Sequence, residues 1–215
     1  MQDERGAPLT GRQDPKGSTG ASAQADAGPL ERNPRLAWAA LLIAVGTVLV
    51  DQGTKVWALR ALTPGESIGI VGDLLRLTLI RNAGAAFSIV NQATWLLTLV
   101  SVVILVVILR SIRRLGHWGW TLALGLLLGG AVGNLIDRIL REPGVGRGHV
   151  IDFIDYGGLF VGNVADIAIV VAAGSIAVLA WRGIGLDGSR ETDRPHPRDG
   201  EEDGSPRAAV RTDDE

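Results

Sequence analysis

The sequence predicts an all-α membrane protein: four transmembrane helices, with a small β element in the links between them. Three observations carry this. Hydrophobic residues make up 47% of the 215 positions, more than a soluble domain of this size needs. Four apolar runs lie at about 36–59, 93–109, 118–135 and 164–181. At 1.5 Å per residue they reach roughly 26 to 36 Å, against a hydrocarbon core of about 30 Å. The chain outside them is polar: 1–33 is rich in Gly, Ala, Gln, Asp and Pro, and 185–215 is charged and nearly free of large apolar residues. Neither end buries enough surface to order itself. The expected organisation is a disordered tail over 1–33, a four-helix membrane domain over 34–184, and a second disordered tail over 185–215.

Each element has its own signal. The first run follows a long polar stretch and is not followed by a small-residue cleavage site, so it is expected to stay as an anchor rather than leave as a signal peptide. Trp38, Trp57, Trp95, Trp118, Trp120 and Trp181 fall near the run ends, where amphipathic rings prefer the membrane interface. In the third run Gly125, Gly129 and Gly133 form a small-residue stripe, read as bundle packing. The link over 61–91 carries Leu75, Leu77 and Leu79 in alternation with Arg76, Thr78 and Ile80, and Ile68 and Ile70 are expected to pair with it across Val71-Gly72-Asp73. The link over 139–162 holds Pro143, several glycines, the stretch 150–156 and a Gly157-Gly158 turn, and is expected to be ordered in part.

Composition excludes several chemistries. With no cysteine there are no disulfides, thiolate metal sites or cysteine nucleophiles. The net charge is -2 and the arginines are scattered, which argues against a nucleic-acid partner. His117, His149 and His196 lie in separate segments, so no metal cluster is expected. Ser101 and Ser175 sit within helices away from any histidine, leaving a Ser-His-Asp triad unsupported.

Four crossings put both termini on one side and both long links on the other. Lys and Arg near the spans divide equally: Arg32, Arg35, Arg110, Arg113, Arg114, Arg182 and Arg190 on the tail side, and Lys55, Arg60, Arg76, Arg81, Arg138, Arg141 and Arg147 on the link side. The dense group from Arg110 to Arg114 favours cytoplasmic termini and an extracytoplasmic β element. With that topology the first helix ends on the link side near Asp51, the third ends there at Asp137, the fourth begins there near Asn163 and Asp166, and Asp152 lies in the second link. Four carboxylates and the amides of Asn82, Asn134 and Asn163 thus converge at a depth where ionisable groups are costly.

Plainer accounts exist for each. Asp51 can end its helix and pair with Lys55, Asp137 can pair with Arg138, and Asp166 can answer the helix dipole; Asp155 and Glu142 read as solvated loop charges. Two crowded carboxyl groups, however, share one proton, so that one serves as base toward water and the other as acid toward a peptide carbonyl, without metal or covalent intermediate. A transporter or channel would instead spread its carboxylates along a path.

The motifs resemble those of the lipoprotein signal peptidase family, signal peptidase II. Asp51-Gln52-Gly53-Thr54-Lys55 resembles its first-helix motif, and Arg81-Asn82-Ala83-Gly84-Ala85-Ala86-Phe87 its Asn-x-Gly-x-x-Phe segment. The run from Gly129 to Arg138 is similar to its third-helix signature, and Val150-Ile151-Asp152-Phe153 and Asn163-Val164-Ala165-Asp166 to the two motifs bearing catalytic aspartates. The resemblance implies Asp152 and Asp166 as the catalytic pair, Asn82, Gly84 and Arg138 at the substrate, and Asp51, Lys55, Asn134, Asp137 and Asn163 as supports. It further implies an aspartic endopeptidase without metal or cofactor, acting as a monomer in the bacterial inner membrane. The same resemblance implies an active site that faces outward and, as substrate, a diacylglyceryl-modified prolipoprotein cut just before its lipidated cysteine. Gly162 departs from the pattern, standing where the family usually has Phe, with Phe160 two residues earlier, and Ile167 replaces a small hydroxyl residue. A glycine at the helix start is expected to loosen the placement of Asp166.

Overall fold

The structure, a computed structural model, describes residues 33–84 and 94–190; the polar stretch 1–32, the residues 85–93 that include Phe87, and 191–215 lie outside them. The apolar runs become α1 (Pro34–Ala61), α2 (Thr94–Ile112), α3 (Trp118–Leu140) and α4 (Val164–Trp181). All four are long and apolar enough to cross a membrane. The chain is not all-α. Strands β1 (Ser67–Val71), β2 (Leu75–Asn82), β3 (Val150–Asp155) and β4 (Val161–Gly162) form one antiparallel sheet in the order β1-β2-β3-β4. The all-α reading fails because the second link is not an independent loop: β3 pairs with β2, opposing Ile80 to Asp152 and Asn82 to Val150.

Two helices run past the aspartates expected to end them. Asp51 does not end α1, which continues through Lys55 to Ala61, so the carboxylate sits roughly 15 Å short of the helix end. The extension is possible because Asp51 and Lys55 are both fully buried and face the bundle rather than lipid. Helix α3 likewise runs past Leu135 to Leu140, carrying Asp137 inward on the same terms.

Helix α3 is central: it packs against α1, α2 and α4, and 56% of its apolar window is buried, against 17% or less in the other three. The glycine stripe explains why. A Cβ at Gly125 would lie 2.9 Å from the carbonyl oxygen of Ala40, one at Gly129 2.8 Å from that of Ala44, and one at Gly130 2.6 Å from that of Ala165. Glycine on these faces lets α1 and α4 close to backbone contact on either side of α3. Below the site, Ala40, Ala44, Ile108, Ile112, Leu115, Leu124 and Leu128 form a buried cluster, while Leu42, Leu49, Val107 and Val170 point outward and exposed, a surface suited to lipid.

The sheet rests on the end of α1. Ile151 and Phe153 pack with Ala58, Leu62 and Leu79, and the Phe153 ring meets Trp57 edge-on at 6.2 Å. Since alternate residues of a strand face opposite ways, seating Ile151 and Phe153 on α1 turns Asp152 to the other face. Asp155, expected as a solvated loop charge, is instead buried in the sheet at 4% exposure. Its Oδ2 accepts from Arg76 Nε and Thr78 Oγ1 on β2 at 3.1 and 3.2 Å. At the opposite end of the molecule the chain stays ordered beyond the expected limit at 184: Ile184 bridges to Arg190, and the amide of Gly116 donates to the carbonyl of Leu186 at 2.8 Å.

The stripe makes a test of the packing. Gly129→Ala is expected to lower stability by about 1–3 kcal/mol through overpacking, whereas Gly46→Ala on α1, where a Cβ meets nothing within 4 Å, is expected to be neutral or mildly stabilising. Thermal unfolding of both variants in detergent reads the difference, and equal midpoints would refute the close-approach account.

Candidate active site

The aspartates that topology gathers at one end of the bundle divide into two pairs with different partners. Asp51 and Asp137 flank Lys55, whose Nζ lies 2.9 Å from Asp51 Oδ2 and 2.8 Å from Asp137 Oδ2, with all three side chains fully buried. Asp137 also takes Arg141 Nε at 2.6 Å. The expected pairing of Asp137 with Arg138 does not form, since neighbouring residues on a helix do not face each other while residues four apart do. Both carboxylates reach further: Asp51 accepts with its other oxygen, Oδ1, from the Ala165 amide at 3.0 Å, in the first turn of α4, and Asp137 Oδ2, besides meeting Lys55, accepts from the Ile151 amide of β3 at 3.2 Å. The glycine at 133 leaves the space, since a Cβ there would stand 2.5 Å from Asp51 Oδ2.

Asp152 and Asp166 are held by amides. Asp152 Oδ2 accepts from Asn82 Nδ2 at 2.7 Å and its Oδ1 from Asn163 Nδ2 at 2.6 Å. Asp166 Oδ1 accepts from Asn134 Nδ2 at 2.9 Å, and its Oδ2 from the backbone amide of Asn163 at 3.1 Å. Asn163 therefore touches both carboxylates, with its side chain on one and its main chain on the other. Local structure fixes this residue. It is the N-cap of α4 and closes a capping box with Asp166, and β4 just before it pairs Gly162 with Ile154. The expected loosening of Asp166 by Gly162 is not what the fold shows, because the glycine is pinned in a strand and the carboxylate accepts two hydrogen bonds.

Asn134 links the two pairs. Its Oδ1 accepts from Lys55 Nζ at 3.0 Å and from Asn163 Nδ2 at 3.2 Å while its Nδ2 donates to Asp166. Among the described residues no buried side-chain nitrogen or oxygen lacks a partner, as a polar cluster at membrane depth requires. Burial, the largest influence on Asp152, pushes its carboxyl up to about 6 against the lowering effect of Asn82 and Asn163, and the charge of Asp166 adds to the rise.

Asp152 opens on a cleft of about 610 Å³, also lined by Asn82, Gly84 and Arg138 on a polar side and by Ile80, Leu97, Phe160 and Val161 on an apolar one. Arg138, anchored by Nη1 to the carbonyl of Asn134 at 3.3 Å, stands within electrostatic reach of Asp166, Asp152 and Asp137. Of the ten residues singled out from the sequence, Asn82, Gly84, Arg138 and Asp152 line this cleft, and the other six connect to them through the hydrogen bonds and ion pairs described above. Gln52, passed over as part of a motif, joins them: its Nε2 donates to Asp51, to the Gly133 carbonyl and to Asp137. Its place one residue after Asp51 was the available signal. Among the described residues no three His, Asp or Glu side chains gather as metal ligands would.

Comparison with known proteins agrees with this geometry. A family profile described as Signal peptidase (SPase) II matches residues 43–182. A protein of Rhodococcus jostii (strain RHA1) named lipoprotein signal peptidase is 46% identical over 152 residues, covering 70% of this chain and 77% of the relative. One of the same name from Mycobacterium tuberculosis (strain ATCC 25618 / H37Rv) is 42% identical over 186 residues, covering 86% and 92%. A solved structure described as a bacterial membrane enzyme, determined by the in meso method at 2.3 Å resolution, superposes with a TM-score of 0.60 at 28% identity, covering 74% of this chain and 94% of that one. The matched span contains both aspartate pairs, the sheet and all of α2, α3 and α4, and on this ground the chain belongs to the signal peptidase II family, a family of membrane proteases.

Proposed function

We propose that the chain is an aspartic endopeptidase that removes the signal peptide from diacylglyceryl-modified prolipoproteins, cutting just before the lipidated cysteine. The observation that carries the reading is Asn163, which contacts both Asp166 and Asp152, the latter on the wall of an open cleft. Two carboxylates tied through one residue share a proton most readily when one of them resists ionisation. Asp152 is that one, and it holds the proton as the acid. Asp166, at the positive end of α4, serves as the base.

The steps follow from these positions. Asp166 takes a proton from water as the water oxygen bonds to the scissile carbonyl carbon, and Asp152 donates its proton to the carbonyl oxygen. The tetrahedral intermediate collapses when the C–N bond breaks: the leaving nitrogen receives the proton from Asp166, and the carbonyl re-forms by returning its proton to Asp152. Asn82 and Arg138 are placed to hold the substrate backbone, Arg138 also offsetting negative charge in the transition state. The apolar half of the cleft suits a substrate whose acyl chains stay in membrane lipid. A single copy suffices, with both termini cytoplasmic and the cleft facing outward in the bacterial inner membrane.

Asp152→Asn and Asp166→Asn are each expected to cut processing by at least about a thousandfold, given that general acid–base groups contribute 10²–10⁴. Immunoblots of lipidated precursor in a strain lacking its own enzyme report it, and normal processing by either inserted variant overturns the assigned pair.

Proton linkage gives a second test. The Asp152 carboxyl is harder to ionise in the fold, at about 6, than in the unfolded chain, at 3.8. The unfolded chain therefore releases its proton first as pH rises, and the native state loses on the order of 3 kcal/mol between those values. Asp152→Asn escapes this loss, so its thermal midpoint in detergent is expected to gain on that of the parent from pH 4 to pH 7. A gap independent of pH counts against the buried carboxyl.

Orientation is open to direct labelling because the chain has no cysteine of its own. Val145→Cys, at an 84% exposed position of the second link, is expected to react with an impermeant maleimide on intact cells. Arg113→Cys is expected to react after lysis only, and the reverse pattern inverts the topology.

A further inference from the structure

At the lip of the cleft, the turn between β3 and β4 returns Phe160 over the start of α4. The turn is built to hold it. Asp155 Oδ1 accepts from the Gly158 amide at 2.7 Å, the Tyr156 amide donates to the Phe160 carbonyl at 2.8 Å, and the two rings stack at 6.0 Å with planes 18° apart. Gly157 and Gly158 both adopt positive φ, at 65° and 79°, a conformation that makes the tight return possible.

What matters is where the ring ends up. A Cβ built on Gly162 would stand 2.7 Å from Phe160 Cε1 and 3.1 Å from Asp166 Oδ2. The missing side chain at 162 therefore leaves the space that the ring and the carboxylate border from either side. The ring is nevertheless 54% exposed, and its neighbour Leu159 is 94% exposed. An aromatic face left open in the same cleft as Asp152 and Arg138 is a surface that substrate covers.

We propose that Phe160, admitted beside Asp166 by Gly162, is the specificity-determining wall of the site. It contacts the substrate side chain next to the cleaved bond and limits the size of that side chain. The inference rests on the reading of Asp152 and Asp166 as the hydrolytic pair. Phe160 takes part in no proton transfer; its role is to select and seat the residue that the pair must reach.

The test uses the purified full chain in detergent and two diacylglyceryl-modified peptides that differ only in the residue before the modified cysteine, Ala in one and Leu in the other. The parent is expected to favour the Ala peptide. Phe160→Ala is expected to shrink the ratio of the two kcat/KM values by tenfold or more, mainly by lowering KM for the Leu peptide, and Phe160→Leu is expected to fall between. Gly162→Ala, which displaces the ring and also crowds Asp166 Oδ2, is expected to lower kcat for both peptides as well as to alter the ratio, and to change the ratio no further on top of Phe160→Ala. Thermal midpoints identify a variant that has merely unfolded, and Phe160→Leu then decides the question. Cleavage with a ratio unchanged across the folded Phe160 variants overturns the inference alone. Failure of the parent to cut either peptide, or undiminished cutting by Asp152→Asn, overturns the hydrolytic reading and the inference with it.

Discussion

Everything at the working end of this molecule is assembled around one buried ammonium. Lys55 Nζ has three N–H donors, and they meet Asp51, Asp137 and Asn134 at 2.9, 2.8 and 3.0 Å. Each acceptor then hands the connection on: Asp51 to the first turn of α4, Asp137 to the start of β3, Asn134 to Asp166 and Asn163. Taking out one partner of such a buried group leaves an uncompensated charge, typically at 3–5 kcal/mol. That penalty ties the positions of α1, α3, α4 and β3 to the satisfaction of this one charge.

Packing makes the ion cluster possible in turn. A lysine ammonium reaches two aspartates on different helices without water only if the helices lie close, and the glycines of α3 provide the approach. Gly133 shows the dependence most directly, since a Cβ there would take the place now held by the Asp51 carboxylate. The stripe from Gly125 to Gly133, readable from sequence as ordinary packing, therefore also makes room for the buried ion cluster. Gly148 plays a similar part at the top of α3, donating its amide to the Arg138 carbonyl at 3.0 Å and bringing the second link down to the helix end.

Much of this was legible in the residues because hydropathy sets spans and motifs keep their spacing. Helix α4 begins and ends where its apolar run does, and the β1–β2 hairpin follows the alternation around Leu77 with its turn at Gly72. Contacts between distant segments were not legible. Nothing local in Val150 to Asp155 says that it will pair with a strand some seventy residues earlier, and without that pairing Asp155 reads as a loop charge and the chain as all-α. Asp51 can be read as a helix end for a related reason, although α1 continues through it to Ala61: a charge in an apolar run looks like a boundary until its partner on another helix is known.

The sequence also could not rank four aspartates that share a face, and the structure supplies a physical criterion for doing so. Asp51 and Asp137 are gripped by fixed cations, Lys55 and Arg141. Such carboxylates are locked in geometry and have no free side toward the cleft. Among the described residues the hydrogen-bond partners found for Asp152 and Asp166 are neutral amides, those of Asn82, Asn134 and Asn163. An amide orients a carboxyl group without fixing its protonation state, because it donates to the oxygen in either form. The cation-bound pair ties the helices together, and on the proposed reading the amide-bound pair exchanges protons. Asn134 and Asn163 stand between the two and join Lys55 to Asp166 and Asp152 through neutral amides.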